Sequence, residues 1–137
     1  MEIRKIPFVE KVGIEKNEQG HLTLSFDDSN NNHINTVHAS ALFTLAESAS
    51  GEALQSYFPE LVGKVIPVVR DSQIKFRKPA IDSITAFPSI ADNDVAKFKE
   101  QFNKKGRSSI AVHVEVRDPE NNVICAGTFN WFVQGIS

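Results

Sequence analysis

The sequence predicts an α+β fold in which one long helix lies against an antiparallel sheet. Two observations carry that prediction. The run from Asn32 to Gly51, NHINTVHASALFTLAESASG, combines helical spacing of apolar residues with very few charges. Beyond Gly63 the chain reads as successive strands separated by turn signals, with one short helical excursion. A helix followed by consecutive strands buries its apolar face against the sheet those strands form. Such a sheet leaves the other side of the helix open, and this favours a dimer.

Length and composition bound the rest. The 137 residues predict one domain, 1–137, with enough chain to bury a core without disulfide or metal staples. The single cysteine, Cys125, excludes a disulfide framework within the chain and sits in an apolar run, where it reads as a small packed hydrophobe. A net charge of −2 gives no electrostatic case for nucleic acid as the main partner. The opening MEIRKIPF lacks the apolar core of a signal peptide, and no stretch is long and apolar enough to span a bilayer, so a cytoplasmic location is expected. Ten phenylalanines against one tyrosine point to a dry core, an apolar ligand, or both.

The elements follow in order. Met1 to Glu18 is a weakly apolar lead-in, read as a short arm or helix leading into a strand. Gln19-Gly20 marks a turn, and His21 to Phe26 alternates as a half-buried strand. The polar cluster from Asp27 to Asn32 is a loop. Thr36 is the expected N-cap of the long helix, whose buried face carries Val37, Ala41, Leu42, Leu45, Ala49 and Leu54. Pro59 ends that helix, and the small residues between Ala39 and Ala53 allow a curved sheet to approach closely. Two strands are expected over Lys64 to Val69 and Ser72 to Phe76, and another over Ile84 to Ala91, where Pro88 implies an edge or a bulge. Asp94 to Asn103 predicts a short amphipathic helix capped by Asp94 and ended by Gly106. Ser109 to Val116 alternates strictly, Asp118 to Asn122 is a hairpin turn, and Val123 to Val133 is the last strand.

Glu47 is the first candidate for chemistry. On a helix it shares a stripe with Ser40, Phe43, Thr44, Ser50 and Gly51, away from the Leu42 and Leu45 side. Solvated helix faces carry several charges, whereas this stripe carries one acid. An isolated carboxylate among small residues suits a base or nucleophile with a raised pKa. His38 precedes Glu47 by nine residues, about half a turn out of phase at roughly 100° per residue, so a straight helix cannot aim both at one site. Either His38 lies outside the helix or the site draws on two chains. With a helix beginning near Val37, the amides of Ala39 and Ser40 face outwards and suit a developing oxyanion. Two basic patches, Phe76-Arg77-Lys78-Pro79 and Lys104-Lys105-Gly106-Arg107-Ser108-Ser109, are either solvated turns or phosphate contacts. No set of histidines has metal-ligand spacing, so neither a metal nor a cofactor is expected.

The segment from Asn32 to Glu47 resembles the signature of hotdog-fold acyl-CoA thioesterases of the phenylacetate-pathway type. There an asparagine is followed by Gly-Thr-x-His-Gly-Gly, and then by Leu-Phe-x-Leu-Ala-Asp/Glu entering the central helix. The later Phe-Arg-Lys-Pro-Ala, Gly-Arg-Ser-Ser and Ala-Gly-Thr-Phe pieces arrive in the same order. The resemblance implies a curved antiparallel sheet wrapped around one long helix, paired into a homodimer or a dimer of dimers (a homotetramer) with sites at the interface. It implies an enzyme that hydrolyses acyl-CoA. Glu47 would be base or nucleophile, Asn32 would position water or substrate from the second chain, and His38 and the Ala39 amide would hold the thioester carbonyl. Ser40, Arg77, Lys78, Gly106, Arg107 and Ser108 would touch the substrate and its CoA. The chain departs from the pattern at Asn35 and at Ala39-Ser40, where that family has glycine. The alternative on the same scaffold is a non-catalytic acyl-CoA or lipid-binding protein.

Overall fold

The computed structural model describes residues 1–136. A short arm opens the chain: a 3-10 turn over Ile3–Lys5, then helix α1 over Pro7–Val12, with Pro7 in its first turn and Gly13 closing it at φ 91°. Strands β1 (Glu15–Lys16) and β2 (Leu22–Leu24) follow, and helix α2 spans Ala39–Tyr57. Beyond it come β3 (Val65–Phe76), β4 (Ile84–Ser89), helix α3 (Asp92–Lys105), β5 (Arg107–Arg117) and β6 (Val123–Gly135). The six strands form one sheet in the order β1-β2-β4-β5-β6-β3, and every pair is antiparallel.

The core lies between α2 and one face of the sheet. All six residues expected on the apolar face of α2 are buried. Opposite them stand Ile110, Val112, Val114 and Val116 of β5 with Phe129, Trp131 and Val133 of β6, each at alternate positions of its strand. Phe43 of α2 meets Phe129 edge-on, with ring centroids 5.5 Å apart. Ala41, Ala46, Ala49 and Ala53 supply the close approach that small residues permit. Cys125 is fully buried in this layer, and burial pushes its thiol up to about 12, so it serves as packing.

Several boundaries differ from the sequence reading. His38, not Thr36, is the N-cap of α2: its Nδ1 accepts the Ser40 N–H at 2.9 Å. Thr36 is buried two residues earlier, where its hydroxyl is bonded by the Asn32 side chain. The strand over His21 to Phe26 contracts to Leu22–Leu24. The two strands expected between Lys64 and Phe76 are one, β3, interrupted by a bulge between Val69 and Asp71. Asp94 lies inside the first turn of α3, and Ala91 holds the cap position without a side-chain bond. Gly106 does end α3, at φ 71°. Pro88 sits where β4 has run past its β2 partner and pairs with β5 alone, an edge position that tolerates proline.

One close approach depends on a glycine. A Cβ at Gly127 of β6 would lie 2.9 Å from the Gln73 carbonyl oxygen and 3.1 Å from the Ile74 Cβ of β3. Gly127→Ala is therefore expected to destabilise the fold by about 1–3 kcal/mol, the range for overpacking a tight site. Denaturant unfolding that gave the parent midpoint would refute this.

Candidate active site

Glu47 sits in the middle of α2, half-buried, in a cavity of about 280 Å³. The arm closes one side with Ile3, Ile6, Phe8 and Val9; α2 adds Phe43, Thr44, Ser48 and Gly51; Trp131 of β6 completes the wall. Apart from Glu47, only Thr44 and Ser48 bring side-chain hydroxyls to it. No cation or hydrogen-bond donor bonds the Glu47 carboxylate among the described residues. Burial alone therefore acts on it, and lifts its pKa above the ordinary carboxylate value. Of the stripe read from the sequence, Phe43, Thr44 and Gly51 line the cavity, whereas Ser50 is buried away from it and Ser40 is exposed on the first turn.

Two further features were not legible in the sequence. The Ser48 hydroxyl is buried and bonds nothing, although Ser48 lines the Glu47 cavity. Thr44, by contrast, donates to the Ser40 carbonyl at 2.8 Å. A buried hydroxyl without a partner costs about 1–3 kcal/mol, so its persistence marks a place where a bound molecule could complete the bond. The second feature is a brace. Trp131 Nε1–H donates to Ser50 Oγ at 2.9 Å, and the Ser50 hydroxyl donates to the Glu47 carbonyl oxygen at 2.6 Å. This chain ties the turn that carries Glu47 to β6. No motif announces it, because Ser50 and Trp131 are 81 residues apart.

The loop before α2 is organised by Asn32. Its Oδ1 accepts the N–H groups of Ile34 and Thr36 at 3.0 and 3.1 Å, and its Nδ2 donates to the Thr36 hydroxyl at 2.8 Å. Asn35 lies at φ 60°, the left-handed region that glycine favours and asparagine tolerates, so the replacement keeps the turn. The Ser40 amide is taken by the His38 cap, while the Ala39 amide has no acceptor among the described residues. His38, Ala39 and Ser40 are all exposed. Along α2 the Ala39 amide and Glu47 are about 12 Å apart, at ~1.5 Å per residue. One chain therefore does not bring the helix N-terminus and the acid together.

The two basic patches are also separate within one chain. The Arg77 N–H bonds the Ile124 carbonyl at one end of β6, whereas Arg107 pairs with Gln134 at the other. Ten residues of strand put them about 33 Å apart at ~3.3 Å per residue. Arg77, Lys78, Gly106 and Arg107 are exposed. Ser108 is not: it points into the core side of β5, with its hydroxyl donating to Gln101 Oε1 at 3.3 Å.

The long helix laid against one antiparallel sheet defines a hotdog-like fold. The chain belongs to the family of a domain of unknown function, DUF4442, whose pattern matches residues 3–133. Solved structures agree on the fold. A Pseudomonas aeruginosa protein of unknown function, described as a probable thioesterase, is 22% identical and has a TM-score of 0.80, covering 98% of this chain and 91% of its own. A Bacillus halodurans protein crystallised with CoA is 23% identical, TM-score 0.71, covering 92% and 74%. A Haemophilus influenzae thioesterase is 18% identical, TM-score 0.76, covering 97% and 86%. No curated protein matches the chain in sequence. No helix among the described residues is long and apolar enough to cross a membrane.

Proposed function

We propose that this protein is an acyl-CoA thioesterase working as a homodimer. The observation that carries the proposal is the Glu47 carboxylate, unpaired, half-buried in an apolar cavity, and pushed above its ordinary pKa by burial alone. Such a group is a stronger base than a solvated carboxylate. Glu47 takes a proton from water, and the hydroxide adds to the thioester carbonyl carbon. The tetrahedral oxyanion accepts the Ala39 N–H of the partner subunit, with His38 and Asn32 of the partner subunit fixing the surrounding loop. Collapse breaks the carbon–sulfur bond, and the CoA thiolate takes the proton from Glu47. In the nucleophilic variant Glu47 attacks the carbonyl carbon, the CoA thiolate leaves and a mixed anhydride forms, which trapping with hydroxylamine during a single turnover would reveal as a modified Glu47.

The need for a second copy follows from two separations within one chain. The acid and the helix N-terminus are about 12 Å apart, and the basic patches about 33 Å. Strand β3 offers the means. It is an edge strand of 12 residues, exposed along nearly all its length, and carries Ile66, Val68 and Val69 towards solvent. An unpaired apolar edge of that length is a template for another strand. Antiparallel pairing of β3 with its copy turns one protomer end for end. Arg77 and Lys78 of one then lie at the same end as Arg107 of the partner subunit, about 15 Å away across three strand spacings of ~4.8 Å. Cations gathered at one end of the paired sheets suit the 3′-phosphate and diphosphate of CoA. A back-to-back dimer of dimers would leave these sites unchanged.

A panel of short, long and aromatic acyl-CoAs with a thiol-detecting reagent tests the proposal. Thiol release that requires Glu47 is the expected result; binding without release on every substrate would establish the non-catalytic acyl-CoA carrier instead. Ser48 gives an independent check, because its free hydroxyl can donate to the thioester oxygen or to the attacking water. Ser48→Ala is expected to lower kcat/KM roughly three- to tenfold, the worth of one neutral hydrogen bond, while leaving the Tm unchanged or raised. An unchanged kcat/KM would remove Ser48 from the site.

A further inference from the structure

We infer that the arm is one half of a contact between subunits: the exposed Ile6-Pro7-Phe8 corner of one protomer seats Ile34 of the partner subunit, and this holds the partner's Asn32 turn at the Glu47 cavity. The contact rests on the shared-site reading for where the partner approaches, and on the arm and the turn for what meets there. The arm lies along α2 head to tail. The Met1 amino group donates to Gln55 Oε1 at 2.8 Å near the C-terminal end of the helix. Ile3, Ile6 and Phe8 line the Glu47 cavity at its middle. Asn30 Nδ2–H, in the loop before the helix, donates to the Val12 carbonyl at 2.8 Å. One side of the arm is anchored, with Ile3 and Val9 buried. The other is left in water: Phe8 is 63% exposed, and Ile6 and Pro7 are exposed beside it.

Ile34 is the other half. It stands 61% exposed at the tip of a turn whose neighbours Asn32, His33, Asn35 and Thr36 are all polar. The turn is stiff. Asn32 Oδ1 accepts the Ile34 and Thr36 N–H groups, the Asn32 carbonyl accepts the Asn35 N–H at 3.2 Å, and Asn35 is held at φ 60°. A side chain presented on a pre-organised turn loses little freedom when it docks, which is how a single apolar anchor becomes worth having at an interface.

Position joins the two halves. The shared site requires Asn32 of the partner subunit near Glu47, and Ile34 follows Asn32 by two residues. A turn brought to the mouth of the Glu47 cavity meets the arm that walls it, and Phe8 is the most exposed apolar side chain of that wall. The arm also lies on the side from which the partner comes. Met1, Ile3 and Ile6 line one cavity with Val65, Ile66 and Pro67 of β3, the edge strand that pairs with its copy. Neither Phe8 nor Ile34 is covered within its own chain, so burying one against the other removes apolar surface from water at no loss of an existing contact. The two-fold makes the contact twice, once at each site.

The test co-expresses a Phe8→Cys chain with an Ile34→Cys chain, treats the mixed dimer with a short bismaleimide, and reads the joined peptides by mass spectrometry. Because each chain carries only one of the two new thiols, a link between positions 8 and 34 must cross between subunits. Cys125, fully buried with its thiol pushed up to about 12, stays out of the reaction. The link is expected to exceed, by roughly tenfold or more, that formed by the Phe8→Cys chain with a Glu120→Cys chain, whose thiol sits on the exposed β5–β6 turn, since a fixed contact raises the effective concentration of one thiol beside the other. Phe8→Asp and Ile34→Asp should each raise the dimer dissociation constant about tenfold or more, the worth of one buried apolar side chain, with the circular dichroism spectrum unchanged. Phe8→Asp combined with Ile34→Lys should recover part of that loss. Linkage no greater than the Glu120 control overturns the contact, as does an unchanged dissociation constant in the two aspartate variants or a parent protein that sediments as a monomer. Linkage without thiol release from any acyl-CoA would sink the enzyme reading and leave the contact standing; thiol release without linkage would do the reverse.

Discussion

Glu47→Gln is expected to abolish acyl-CoA hydrolysis, lowering kcat by about 10²–10⁴-fold, while the protein folds and pairs as before. The glutamine amide keeps the shape of the side chain and cannot take a proton from water. Because burial raises the Glu47 pKa, the acid limb of the parent pH–rate profile should lie above the ordinary carboxylate range, about 4.3. Activity should rise with pH through the raised value, as the base must be ionised. Stability should move the opposite way. Well below the ordinary value both folded and unfolded chains carry the proton, and burial of the acid costs little. As pH climbs past it, the unfolded chain releases its proton first, so folding requires either re-protonation or a desolvated charge. The loss grows until the raised folded pKa is passed, then stays constant. The variant is free of it, so its Tm should exceed the parent's by a margin that widens with pH. Thermal unfolding from acid to neutral pH, with thiol release on the same samples, checks both signs. Retention of full hydrolysis would exclude Glu47 from the mechanism.

Charging the free edge should be nearly as damaging, without touching any group assigned to chemistry. Ile66 and Val68 stand 58% and 46% exposed on β3 of the single chain. Pairing of β3 with its copy would bury them. Lysines introduced there would meet their own copies across the two-fold, and like charges on an edge strand are a natural means of blocking sheet extension. The double variant Ile66→Lys with Val68→Lys is expected to sediment as a monomer, to keep its circular dichroism spectrum, and to lose thiol release by two orders of magnitude or more. The reason is positional. One chain keeps its Glu47, but the Ala39 amide, the proposed oxyanion donor, is about 12 Å along the same helix. A monomer with full activity would show that one chain builds the whole site.

The sequence carried a good part of this structure because the relevant signals are local. Helical spacing in the Ala39 to Ala53 region and alternation from Ile110 to Val116 reflect neighbours within a few residues. So do the αL position of Gly106 and the hairpin turn at Asp118, whose Oδ1 accepts the Glu120 and Asn122 amides at 3.0 and 2.9 Å. Glu47 stood out for the same reason: an acid alone in a small-residue stripe is visible in one turn of helix. The cap was misassigned to Thr36 because Thr and His can both accept from an N-terminal amide, and local preference favours Thr. What moved the cap was the loop, where Asn32 engages the Thr36 hydroxyl and the Val37 N–H bonds the Ala80 carbonyl at 2.9 Å.

By itself, then, the sequence determined the order of the elements and the apolar face of the helix, and it singled out Glu47. Tertiary structure alone decided what surrounds that acid. The arm that roofs Glu47 and the Trp131–Ser50 brace both join residues far apart in the chain, and only the fold buries the Ser48 hydroxyl beside them. Periodicity records which way a side chain faces. It carries no information on which distant side chain it will meet, since that is fixed only when the sheet closes over the helix.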